Sequence, residues 1–562
     1  MGWLPVDIIG VMSTNCFKQI CPRAVACGQS AVVILRTNDP LVPLIRRPFV
    51  VRNPMSDASV SFSRMIADVG TLGEGTIIDA DVCVVGAGPA GLAMLPRLRE
   101  HGISVIVLES GGLGWDPTLY YMNEGESVGQ QGDDLKDSRR RGLGGTATAW
   151  KTEIAPEVIG ARYRPLDPVD FEPKDWIPNS GWPIRGEELA PHYERAQELC
   201  GLGRFEYTNA DWVGVCEGPM FTSERLEPVV FQGGSKESFT ELPLAVYRNA
   251  PEIRIFLRAT AYEFEIERDG SMRSIRATDP YGRSITARAR VFVLAAGGIE
   301  NARLLLKLRS DGNSASGIRS DALGNTFMEH IHTTTAAFIP EDPTLFEAMH
   351  AHSWHNCAGT PIQWKYRLSE HVARVERTAQ YCVYLRPTEI QLLPDHLRAM
   401  TAGTTLGDKA VFAVDVMSEQ VPNPSSGVEL SDRPLLGLDL RHGTQARLRW
   451  KLNELDLHTL LVGQRVFVEE VAGLGLGTVI PGLDERTVQA AIWTGHHHMG
   501  TTRMSETPAT GVVNPEGRIH GLRNLYVTGA SLFPTGGFAN PTLTAIALSD
   551  RLATHIAQRA SW

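Results

Sequence analysis

The 562-residue sequence has no apolar run near the roughly 18 residues that a membrane-spanning helix needs, so no integral membrane segment is expected. It has no excess of positive charge. Lys and Arg number 54 against 64 Asp and Glu, a formal charge of -10, which argues against a general nucleic-acid binder. Its eight cysteines are scattered, with no C-x-x-C pair, no zinc spacing and no C-x-x-C-H haem attachment motif. They are expected to be reduced and mostly structural, which points to a cytoplasmic protein. Residues 1–70 lack the ordered charged, apolar and small-residue regions of a secretory signal. This basic stretch is expected to be an extension that packs against nothing, with Met55 and Met65 as candidate natural starts. A targeting role for it stays open.

What is present begins at Val82. The run Val82-Cys-Val-Val85 reads as a buried parallel strand. Gly86, Gly88 and Gly91 follow at G-x-G-x-x-G spacing and open an amphipathic helix. A side chain there would block the tight turn, the approach of a pyrophosphate, or close helix–strand packing. The helix N-terminus offers free N–H groups to phosphates. The next strand, Ser104-Val-Ile-Val-Leu108, ends at Glu109, where a carboxylate can hold ribose hydroxyls. NAD, NADP and FAD all suit this unit, although Glu109 would repel the 2′-phosphate of NADP. A chain this long should hold two structural regions, interleaved or not.

Past Glu109 comes Arg139-Arg-Arg-Gly-Leu-Gly144-Gly145-Thr146-Ala-Thr148-Ala149-Trp150. Its paired glycines let backbone lie against a flat ring or a pyrophosphate. Its arginines either neutralise phosphate or form a solvated charge run. Residues 151–225 read as loop-rich, with a helix from Glu187 to Leu199 and tryptophans that anchor loops or line a sugar-sized pocket. Residues 253–289 alternate like a small antiparallel sheet. They feed a second buried strand, Arg290 to Leu294, that ends at Gly297-Gly298 before a helix. This return to the first sheet favours FAD over NAD. Farther on, His350, His352, His355 and Cys357 cluster without an acid and match no standard metal site. Strands are expected at 379–385 and 410–416, and a long helix at 453–474.

The last seventy residues carry the densest signals. Gly495-His496-His497-His498-Met499-Gly500-Thr501 comes first. A strand then ends at Thr528-Gly529-Ala530, and Asn540-Pro541-Thr542-Leu-Thr544 opens a helix. Pro541 suits the first helical turn and Asn540 its N-cap. Three consecutive histidines cannot easily face one ion, so no metal is expected.

From about Ile77 onward the chain resembles the glucose–methanol–choline (GMC) flavoprotein oxidoreductases. The resemblance rests on the glycine unit, on His497-His-Met-Gly-Thr501 and on Asn540-Pro-Thr-Leu-Thr544, and the last block is similar to pyranose oxidases and bacterial C-glycoside 3-oxidases. It implies an α/β, two-dinucleotide-binding-domain fold. Residues 75–330 and 490–562 would form a Rossmann-like FAD domain, and 331–489 a β-sheet substrate domain. It implies FAD held by Gly86, Gly88, Gly91, Glu109, Gly144, Gly145, Thr146, Gly297, Gly529, Ala530, Asn540 and Thr542. It assigns His497 as the base, with His498 as the fallback, and Asn540 as its partner. Ala149 stands where pyranose oxidases carry the flavin-linking His, so the FAD is expected to be non-covalent. The implied reaction is oxidation of an alcohol, foremost a secondary hydroxyl of a sugar or glycoside, to a ketone. The electron acceptor would be oxygen, a quinone or another carrier. The alternatives are a dehydrogenase of a non-sugar alcohol and a non-catalytic flavin-fold binding protein. An NAD-linked dehydrogenase would leave the return strand unexplained, and a flavin monooxygenase would need a second nucleotide fingerprint, which is lacking.

Overall fold

The runs Val82–Val85, Val105–Leu108 and Val291–Leu294 are apolar on both faces and almost completely buried. Strands of that composition belong in the centre of a parallel sheet covered on both sides. The computed structural model describes residues 65–560, apart from 217, 312–316, 319, 343, 345–353, 396, 399–410, 437 and 439–442. The expected N-terminal extension up to residue 64 lies outside the described residues, as do His350 and His352. No described helix is long and apolar enough to cross a membrane.

An eight-stranded sheet holds the three runs side by side. Thr76–Val85 pairs in parallel with Val105–Leu108 on one edge and with Ser284–Leu294 on the other. The helix Pro89–Glu100 makes the crossover. The return strand extends back to Ser284. Its outer half pairs antiparallel with Met272–Thr278, so the expected small antiparallel sheet and the return strand are one continuous element. Leu525–Val527 joins its far edge in parallel and brings in the C-terminal segment.

A second sheet, of ten strands, stands on the other side of the site. Its middle runs Ile331–Pro340, Val411–Ser418, Tyr381–Thr388, Thr360–Leu368, Leu226–Ser235 and Val158–Tyr163. The last two fall within 75–330, yet Leu226–Ser235 pairs with Thr360–Leu368, so sheet membership crosses the boundary read from the sequence. Residues 151–225 are accordingly less loop-rich than expected, since Thr152–Ala155 and Val158–Tyr163 are strands. The helix Gly186–Leu199 lies where it was expected. Trp176 and Trp182 anchor loops, donating to the Thr378 carbonyl and the Thr535 hydroxyl. The long helix Glu454–Gly473 starts at a capping box on Asn453.

One cysteine expectation fails. Cys216 and Cys357 are joined by a disulfide beside Trp212, Val230 and Trp364. They lie 141 residues apart, and the folded chain brings their Cα atoms to 5.7 Å, a separation sequence spacing does not reveal. Cys83, Cys200 and Cys382 are free and buried. The disulfide removes the reduced-cysteine ground for expecting a cytoplasmic location.

Candidate active site

A cavity of about 460 Å³ opens between the two sheets. Gly86, Gly88, Glu109, Gly145, Thr146, Gly297, Gly529, Ala530, Asn540, Thr542, His497 and His498 all line it. The chain therefore brings together residues up to 456 positions apart, from Gly86 to Thr542. Two expected cofactor residues sit behind the wall. A Cβ on Gly91 would lie 2.0 Å from the Gly86 carbonyl oxygen, so this glycine lets the helix approach the strand. Gly144 has a φ of 89° and makes the turn into the short helix Gly145–Ala149.

The dinucleotide end is built from backbone. Gly86 has a φ of 107°, and a Cβ there would sit 2.7 Å from the Ala295 carbonyl oxygen. A Cβ on Gly145 would sit 2.9 Å from the Gly88 Cα, so the two glycine turns touch with no room for side chains. The Glu109 carboxylate is held by three amides. Ala87 N donates to Oε2 at 2.8 Å, and Gly111 N and Gly142 N donate to Oε1 at 2.7 and 2.9 Å. Burial raises its pKa, and these amides work against that rise. The arginines at 139–141 are not a solvated run. Glu300 pairs with Arg139 at 2.5 Å, with Arg303 at 2.8 Å and with Arg141 at 3.2 Å, all buried.

The other end holds a chain of hydrogen bonds whose proton positions follow from one carbonyl. His330 Nε2 lies 2.9 Å from the Gly537 carbonyl oxygen, which only accepts, so Nε2 carries a hydrogen. Burial holds His330 down to about 4, so the ring is neutral and its Nδ1 is bare. That Nδ1 accepts from His497 Nδ1, 2.8 Å away. Burial, then the neighbouring His330 and His332, keep His497 well below its ordinary value, so it too is neutral. Its Nε2 therefore presents a lone pair, which accepts from Asn540 Nδ2 at 3.0 Å. Asn540 Oδ1 is buried with no hydrogen-bond partner. Asn540 does not cap the final helix, whose N-cap residue is Pro541. His498 turns elsewhere, with Nε2 3.8 Å from Glu329 and its ring 5.8 Å from Phe327.

Sequence reasoning missed Glu329, His330 and His332. Glu329 Oε1 accepts from His497 N at 2.6 Å and from His330 N at 2.9 Å, which pins the two histidines side by side. Burial raises the Glu329 carboxyl to about 8, against the pull of those amides. His332 lines the cavity with its buried Nε2 unpartnered. The available signal was Glu329-His330-Ile-His332, an acid followed by two histidines at strand spacing.

A flavin dinucleotide fits these residues. The glycine turns leave open the surface that a Cβ would fill, and the N-termini of the helices Pro89–Glu100 and Thr542–Arg559 both reach the cavity. Ala149 also lines the cavity and places no nucleophile on its wall.

Residues 445–549 match the family described as GMC oxidoreductase. The 6'''-hydroxyparomomycin C oxidase of Streptomyces lividus is 22% identical over 85% of this chain and 92% of its own length. The C-glycoside 3-oxidase of Microbacterium trichothecenolyticum is 23% identical over 85% of this chain and 96% of its own. A solved formate oxidase of Aspergillus oryzae, described for its FAD modification, shares the fold. It is 15% identical, with a TM-score of 0.53 over 87% of this chain and 99% of that one. The glycine cradle and the cavity agree with these likenesses: at residues 445–549 the chain is similar to the GMC oxidoreductases, and over most of its length to enzymes named as oxidases.

Proposed function

We propose that the chain oxidises a secondary hydroxyl of a sugar or glycoside to a ketone, with His497 as the base and non-covalent FAD. The observation that carries this reading is the bare His497 Nε2 beside an Asn540 whose Oδ1 has no partner. An alcohol entering there donates its O–H to His497 Nε2. The Asn540 amide then turns its Nδ2 hydrogen to the alcohol oxygen and fixes the carbinol C–H toward the dinucleotide end, a positioning contribution. Bound FAD supplies the acceptor for the hydride. As the O–H proton moves to Nε2, His497 becomes positively charged. His330 Nδ1, 2.8 Å away, keeps the opposite ring nitrogen in place throughout. Burial disfavours that charge at rest, so the proton is taken only when an alkoxide develops beside it.

Relatives named C-glycoside 3-oxidase and paromamine 6'-oxidase support a sugar as substrate. The acceptor that reoxidises the flavin is oxygen, a quinone or another carrier. Residues 75–330 and 490–562 supply the FAD-holding wall, and 331–489 supplies most of the substrate wall. The test is anaerobic addition of sugars, glycosides and simple alcohols to the purified yellow protein. Bleaching by a sugar supports the reading, and readmitted air separates an oxidase from a dehydrogenase. Bleaching by simple alcohols alone, or by none, would overturn the sugar assignment. Release of yellow FAD on denaturation checks the absence of a covalent link.

A further inference from the structure

The substrate wall of the cavity contains a buried lysine that the proposed mechanism does not use. Lys365 is 1% exposed, lines the cavity, and has no hydrogen-bond or ion-pair partner among the described residues. Its Nζ lies 4.5 Å from the centre of the Phe231 ring and 4.3 Å from that of Tyr384. Arg162, also on the wall, has its guanidinium carbon 5.8 Å from the centre of the same Tyr384 ring. Its Nε donates to Gln363 Oε1, and it has no ion-pair partner among the described residues. All these residues stand on strands of the ten-stranded sheet, across the cavity from the glycine cradle.

The charges around the lysine do not balance. Asp415 is an acid whose charge reaches Lys365, and it is already bonded to Arg386 and Thr334. The carboxylates on the cavity wall are Glu109, Asp137 and Glu300, all on the dinucleotide side and tied to amides, Tyr120 or arginines. Two aromatic faces ease the burial of an ammonium but do not replace a counter-ion. Burial, and next the Arg162 charge, hold Lys365 down to about 7, as expected of an ammonium lacking its anion.

We propose that Lys365 and Arg162 form an anion subsite, and that the substrate is an alcohol carrying a carboxylate or phosphate, such as a sugar acid or sugar phosphate. This rests on the reading of the cavity as an alcohol-oxidising site. The anion completes the charge of Lys365 while the reacting hydroxyl sits at His497. Amine-bearing sugars are disfavoured, since they would meet two cations and no free carboxylate.

The test uses the FAD-loaded enzyme with D-glucuronate, glucose 6-phosphate, D-glucose and D-glucosamine. Binding is followed by calorimetry and flavin reduction by anaerobic bleaching. The expected result is that one of the two anionic probes binds at least about tenfold more tightly than D-glucose, and that D-glucosamine binds most weakly. The better anionic probe separates a carboxylate from a phosphate ligand. Lys365→Met, which keeps an unbranched stem between the two rings, should remove that preference and leave D-glucose binding within about twofold. Lys365→Arg should restore part of it. Equal binding of charged and neutral sugars, or a preference that survives Lys365→Met, would overturn the subsite. Either result leaves the oxidase reading intact if D-glucose still bleaches the flavin. Tight anion binding without bleaching by any probe would support the subsite and count against the oxidase reading.

Discussion

The two ends of the cavity treat their polar groups in opposite ways. At the dinucleotide end the charges are matched from within. Glu109 is held by three amides and Glu300 by three arginines, and the open surface is bare backbone. At the substrate end, Asn540 Oδ1 and His332 Nε2 have no hydrogen-bond partner among the described residues, and Lys365 Nζ faces two aromatic rings. A cofactor that stays bound needs shape, and glycine turns supply it. A substrate that comes and goes needs groups whose hydrogen bonds are unmade until it arrives. Unpaired buried polar groups cost stability, and Asn540 Oδ1 and His332 Nε2, beside the proposed base, would gain partners when a substrate enters.

The largest effect on this contrast should come from the end that relies on shape. Gly86→Ala forces a φ of 107° on a side chain and drives Cβ to 2.7 Å from a carbonyl oxygen. The backbone penalty alone is about 1–2 kcal/mol. The purified variant should lose most of its flavin, read as the flavin-to-protein absorbance ratio, and full occupancy would show that the glycine turn is not the cradle. At the other end, Asn540→Ala should keep FAD and slow flavin reduction about a hundredfold, the scale of a misplaced reactant. A change in KM alone would reduce Asn540 to a binding contact.

His330→Phe is expected to do less. It deletes one neutral hydrogen bond to His497, about 1 kcal/mol, or roughly fivefold in rate. An unaltered rate would show that the His497 tautomer needs no partner.

How much of this could be read from the chain follows the same division. Gly86, Gly88, Glu109 and Gly145 sit in local turns, where a residue type is dictated by its immediate backbone. His497 and Asn540 were legible through the resemblance of the blocks His497–Thr501 and Asn540–Thr544 to a known family. His330, His332, Arg162 and Lys365 were not. His332, Arg162 and Lys365 lie on ordinary strands and His330 just before one, and they meet the site through pairings such as Thr360–Leu368 with Leu226–Ser235, more than a hundred residues apart. The Cys216–Cys357 link was hidden for the same reason.

The smallest expected effect is a flat pH profile. His497 must be neutral to act as a base, and burial holds its pKa well below 6.5. As pH falls through the ordinary histidine range it therefore stays unprotonated, and the rate of flavin reduction should not drop there. An acid limb centred near 6.5 would mean that the ring is solvated.

The central claim is that His497 acts on the substrate and not on the cofactor. Single-turnover anaerobic flavin reduction, run side by side on the wild type and His497→Ala at equal FAD content, tests it most directly. The account predicts a variant that stays yellow and is reduced about a hundred- to ten-thousand-fold more slowly. Reduction at the wild-type rate, or a variant that has lost its flavin, would contradict it.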